Sequence, residues 1–131
     1  MAIPYRITKR KNTIQNEEEC KYILQAVTKR EVDLRRISWE ISNMSTHTEG
    51  DVFGVLIMLV QQVKFHLEQG ETVVLDDLGR FKVKFQCEPA DSPEKLTVKN
   101  IRKFTVNYLP SPRLRKWLKS SVDIVKEKNY K

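Results

Sequence analysis

Apolar and polar residues alternate at the start of the chain, with Ile3, Tyr5 and Ile7 set against Pro4, Arg6 and Thr8. A period of two predicts a strand over Ile3 to Lys11, and Pro4, having no N–H, belongs at its beginning or on a sheet edge. The polar stretch NTIQNEEE leads into KYILQAV at 21–27, a short β-branched and aromatic run that predicts a second strand. The two are expected to pair as a hairpin with a long loop.

The period then changes. Asp33 is placed to cap a helix whose Leu34, Ile37, Ile41 and Met44 form a single stripe, with Trp39 lying off it. That helix is expected to end near Ser45, in the polar NMSTHTEG. Thr48 and Asp51 then stand at capping-box spacing, with Asp in the usual Glu or Gln position. From Asp51 to Gln69 the apolar residues are Val52, Phe53, Val55, Leu56, Ile57, Met58, Leu59, Val60, Val63, Phe65 and Leu67. They occupy nearly every face, so this helix needs cover on most sides. A second copy of the chain is the natural source of that cover, and the N-terminal hairpin is the competing one. Gly70 ends the helix.

A short strand from Thr72 to Leu75 runs into the turn Asp76-Asp77-Leu78-Gly79, where glycine supplies positive φ. Strict alternation follows, with Phe81, Val83 and Phe85 on one face and Lys82, Lys84 and Gln86 on the other. After the loop signal EPADSPEK a returning strand is expected over Lys95 to Tyr108. Ser111-Pro112 then supplies an N-cap and first-turn proline for a last helix with the stripe Leu114, Trp117 and Leu118. The tail VDIVKEKNYK reads as a strand or a frayed end. The element order ββ-αα-βββ-α is that of an α+β domain.

Composition sharpens this picture mainly through charge. The 131 residues carry a net +7, and the charge is segregated: residues 1–16 have four cations and no acid, 17–94 sum to −6, and 95–131 sum to +9. Such segregation points to a polyanionic partner more strongly than the total charge does, with a basic end that only confers solubility as the alternative. No uninterrupted apolar run reaches ~20 residues, and no apolar segment follows the basic MAIPYRITKRKN, so neither a membrane partner nor a secretory signal is expected. Cys20 and Cys87 match no metal spacing and read as reduced thiols of a cytoplasmic protein. His47 and His66 are single. No phosphate-cradling glycine loop, nucleophile elbow or activated cysteine is present, so the chain is expected to be non-enzymatic, without cofactor, metal or small-molecule substrate.

Three stretches carry a family likeness: Thr46-His-Thr-Glu-Gly-Asp-Val52; Leu67-x-x-Gly70-x-x-Val73-x-Leu75-x-x-Leu78-Gly79-x-Phe81; and Tyr108-x-Pro110-x-x-x-Leu114-x-x-Trp117-Leu118. Together with Tyr5-Arg6-Ile7 and Arg10-Lys11-Asn12, they make the chain resemble the histone-like nucleoid proteins of the HU/IHF-like fold. The likeness is to a variant group with an N-terminal extension, common in Bacteroides-like bacteria. The resemblance implies one HU-like domain over 1–131, with a β extension at 1–30 and a core at 31–131. It implies a homodimer with a two-helix base, an antiparallel sheet sending out a β-ribbon arm, and a C-terminal helix. It also implies architectural, largely sequence-nonspecific binding of double-stranded DNA in the bacterial nucleoid.

The arm departs from the family pattern. No Arg-Asn-Pro motif occurs, and between Phe85 and Thr97 Lys95 faces Glu88, Asp91 and Glu94, a net of −2. Pro89 and Pro93 therefore read as turn prolines, and weak bending of DNA is expected. The candidate phosphate contacts are Lys82, Lys84, Lys99, Arg102 and Lys103 on the ribbon, with Arg113, Arg115, Lys116 and Lys119 on the last helix. The alternative is a protein-interaction or structural dimer module of the same fold, with reduced DNA binding.

Overall fold

The computed structural model describes residues 2–11 and 20–128. The chain forms two compact units, Met1–Glu31 with Trp117–Lys131, and Val32–Lys116. In the first, β1 (Ala2–Lys11) pairs antiparallel with β2 (Cys20–Ala26), as the alternation predicts. The connecting loop 12–19 lies outside the described residues. A short strand from the tail, β6 (Asp123–Lys126), pairs parallel to β1, Ala2 opposite Asp123 and Tyr5 opposite Lys126, so the sheet order is β2-β1-β6. The chain's two ends thus share one sheet.

The second unit holds α1 (Leu34–Asn43), α2 (Glu49–Glu68) and a sheet of β3 (Val73–Leu75), β4 (Gly79–Cys87) and β5 (Ile101–Pro110) in the order β3-β4-β5. Both helix starts are capped as their sequences dictate. The Asp33 carboxylate accepts from the Arg36 N–H at 2.9 Å, and the Thr48 hydroxyl accepts from the Asp51 N–H at 3.2 Å. Gly70 takes a φ of 79°, the left-handed conformation that closes α2. The last helix, α3 (Pro112–Ser121), starts in the second unit and ends in the first.

Two features differ from expectation. The returning strand begins at Ile101, because 3-10 turns at Pro93–Lys95 and Val98–Asn100 intervene. Asn100 Oδ1 accepts from the Thr97 N–H at 3.0 Å and from its hydroxyl at 3.1 Å, which bends the chain before the ladder starts. The second difference is the core. Among the described residues no hydrophobic side chain is buried; the buried residues are Ser38, Gly79 and Ser111. The chain exposes 12,228 Å², against about 7,200 Å² from the mass scaling of folded monomers. Much of the excess is apolar. On α2, Val55 is 59% exposed, Met58 56% and Phe65 52%. At 20 residues, with a mean hydropathy of 1.2 over its most apolar 18, α2 would also suit a bilayer by length and composition alone. Gln61, Gln62, Lys64 and His66 interrupt the apolar surface of its second half.

Glycine is required at the root of the ribbon. Gly79 has a φ of 138°, and a Cβ built there would lie 2.2 Å from the Leu109 carbonyl oxygen and 2.9 Å from the Tyr108 ring. Gly79→Ala is expected to cost about 2–4 kcal/mol of stability, from strain and overlap together. Gly50→Ala, which meets nothing within 4 Å on α2, should be neutral or stabilising. Urea titrations of both variants check the contrast.

Candidate nucleic-acid interface

The β4–β5 ladder sorts side chains by chemistry. Its rungs pair Arg80 with Leu109, Lys82 with Asn107, Lys84 with Thr105 and Gln86 with Lys103. Residues directly opposite in an antiparallel pair share a face. One face of the ribbon therefore carries Arg80, Lys82, Lys84 and Lys103 and no acid. The other carries Phe81, Val83, Phe85, Phe104, Val106 and Tyr108. There the Phe81 and Tyr108 rings stack at 4.9 Å, and Phe85 meets Phe104 edge-on at 6.0 Å. This apolar face is open: Phe85 is 54% exposed and Phe104 68%, so the chain does not bury the alternating aromatics by itself.

Arg80 was missed by the sequence reading, although the signal was present: it stands two residues before Lys82, in the same alternation. It lies between the turn that ends at Gly79 and the alternation from Phe81, and the ladder already includes it, opposite Leu109.

The remaining candidates sit in different surroundings. Lys99 belongs to a 3-10 turn at the arm's tip, off the ladder. A bulge at Gln86/Cys87 shifts the register around Arg102, whose guanidinium donates to the Glu88 carboxylate. Glu88 thus occupies one of the expected DNA-facing cations. On α3, Arg113 forms an ion pair with Asp77 at 3.3 Å, both exposed. Arg115 lines a shallow cavity of about 270 Å³ together with Arg80, Asp76 and the Pro110–Pro112 turn. Lys116 follows on the same helix, and Lys119 falls in the half of α3 that belongs to the first unit.

A small hydrogen-bonded joint fixes where α3 leaves the ribbon. The Tyr108 hydroxyl donates to the Leu78 carbonyl at 2.7 Å, and the Ser111 hydroxyl donates to the Asp77 carbonyl. Ser111 Oγ also accepts from the Leu114 N–H at 3.0 Å, capping α3. The Leu78-Gly79 turn and the Tyr108-x-Pro110-Ser111 passage, remote in sequence, are therefore one structural unit that aims the first turn of α3.

Residues 1–126 match a family model described as an HU domain fused to a winged helix-turn-helix, Ig or glycine-rich motif. The chain belongs to this HU-HIG family. Its fold is also similar to that of a crystal structure from Bacteroides vulgatus, of a protein named provisionally as a bacterial DNA-binding protein. The TM-score is 0.65 at 20% identity, over 99% of this chain. The chain spans 51% of that protein's length. A comparison with curated proteins finds no match. Among the described residues no cluster of three or more His, Cys, Asp or Glu could hold a metal.

Removing the joint at Ser111 should be costly. Ser111→Ala loses both the cap and the bond to Asp77, an expected ~1–2 kcal/mol by chemical denaturation.

Proposed function

We propose that the chain is a non-enzymatic DNA-binding protein of the nucleoid type, working in the cytoplasm as a homodimer of HU/IHF-like architecture. It holds double-stranded DNA with little sequence preference. The observation that carries this reading is the acid-free ribbon face of Arg80, Lys82, Lys84 and Lys103. Alternate residues of a strand stand about 6.8 Å apart, and each DNA strand carries one phosphate per ~3.4 Å of helix axis, so successive cations can meet different phosphates. Three cations at that period on β4, with Lys103 beside them on β5, suit a row of phosphates. Nothing in the set is shaped to read base edges, so affinity comes from charge and specificity is low. Arg115 on α3 borders the same cavity as Arg80 and extends the positive surface toward the helix. Arg113, Lys116 and Lys119 contribute secondarily, Arg113 against the competition of Asp77.

The homodimer follows from the uncovered apolar surface. The exposed side chains of α2 and the aromatic face of the ribbon are large enough that a stable fold needs a second protein surface over them. A second copy supplies the same kind of surface in return, as an isologous interface requires.

A second reading, a protein-interaction or structural module, is favoured by the acidic arm tip, where Glu88, Asp91 and Glu94 outnumber Lys95 and Glu88 holds Arg102. Under the DNA-binding reading the tip is kept away from phosphates, and the ribbon's root and middle do the holding.

Duplex titration over a series of salt concentrations tests the function. Log affinity should fall linearly with log salt, with a slope of about −0.9 per phosphate neutralised. Lys82→Gln with Lys84→Gln should weaken binding and flatten that slope by about two per protomer. No binding at low salt would leave the protein-module reading in possession. Sedimentation at micromolar concentration should give a dimer, and Met58→Glu on α2 should abolish it or unfold the chain.

A further inference from the structure

The sheet built from the chain's two ends holds charge that the ribbon account does not use. Counting every residue, the unit Met1–Glu31 with Trp117–Lys131 carries +5 of the net +7, its loop glutamates Glu17, Glu18 and Glu19 included, and Val32–Lys116 carries +2. We propose that the loop-proximal end of the β1–β2 hairpin, through Lys9, Arg10 and Lys21, is a second phosphate-binding surface for duplex DNA. The proposal rests on the DNA-binding reading above and adds a site that is separate from the ribbon.

The argument starts from the register. Arg10 stands directly opposite Lys21 in the antiparallel ladder. Like charges placed so oppose pairing of the strands. Elsewhere the same sheet avoids this cost. Arg6, two rungs away on the same face, is opposite Gln25 and forms an ion pair with Glu127 at 3.3 Å. Between them Thr8 donates to Gln25 at 3.3 Å. Among the described residues, neither Arg10 nor Lys21 has a carboxylate partner. A surface kept charged for solubility intersperses the two signs and has no need to stack cation on cation. A phosphate seated between Arg10 and Lys21 turns the repulsion into two charge-assisted hydrogen bonds.

The opposite face of the hairpin end is also basic. Lys9 is paired with Tyr22, whose ring is 68% exposed. Cations on both faces of a two-stranded ribbon suit a groove, where phosphates line both walls. A flat anionic surface would engage only one face. The major groove of duplex DNA admits a two-stranded ribbon. Tyr22 beside Lys9 offers an apolar edge to sugars or bases within it.

The test uses the full chain in four forms: unaltered, Arg10→Gln with Lys21→Gln, Lys82→Gln with Lys84→Gln, and all four changes together. Each is titrated with duplex DNA across salt, and its melting temperature is measured. The hairpin variant should flatten the salt slope by about two per protomer and weaken binding about tenfold or more. It should melt no lower than the unaltered chain, since the substitutions relieve a like-charge pair. The combined variant should show the sum of the two losses. Unchanged affinity and slope in the hairpin variant, while the unaltered chain binds, overturns this surface and leaves the ribbon reading standing. Absence of binding by the unaltered chain removes both. Loss confined to vesicles containing phosphatidylserine, with duplex binding intact, also overturns the proposal, in favour of a membrane surface.

Discussion

The antiparallel pairing of β4 with β5 is the constraint from which most of this structure follows. Pairing fixes the pleat, and the pleat sends alternate residues to opposite faces, so a single register decides the position of four cations and six apolar side chains at once. A slip of one residue would mix lysines with phenylalanines along the whole ribbon. The register is set at its root. Gly79 admits the Leu109 carbonyl where any Cβ would collide, and Tyr108 and Ser111 bond back to the turn before it. The same joint aims α3, so the geometry of the basic ribbon and the start of the last helix depend on one glycine and two hydroxyls.

Segregating charge from apolar surface has a consequence for stability. The ribbon's cations take one face and its aromatics the other, and among the described residues nothing buries those aromatics. The second helix is in the same position. Among the described residues these apolar surfaces stay open, on the same ribbon that displays the basic face. The arm's tip stands apart from it. There Glu88 engages Arg102, and two 3-10 turns replace the start of the strand, so the cations without a carboxylate partner on the ladder lie toward the root.

Much of this was legible in the order of residues. Caps at Asp33 and Thr48, the glycine stop at 70 and the alternation from Phe81 to Gln86 are local signals, and each depends on groups within a few residues. Lys82 and Lys84 were readable as one face for the same reason. Arg80 was overlooked because the end of a turn and the first rungs of a ladder look alike until the partner strand is in place. Arg102 and Lys99 were assigned to the returning strand. The Asn100 side-chain bonds and the bulge at Cys87 put one outside the ladder and the other against Glu88.

The sequence by itself determined the periodicities, the caps, the segregation of charge and, through its motifs, the family, because these depend on neighbours along the chain. Only the tertiary structure decided that the C-terminal strand lies beside the N-terminal one, that Arg10 faces Lys21, and that Tyr108 and Ser111 close on the Leu78-Gly79 turn. Those are pairings between residues up to 121 positions apart. Backbone hydrogen bonding constrains which strands meet but leaves no mark in either segment alone. The charge of the hairpin was visible from the start, whereas its opposition across the ladder required the register.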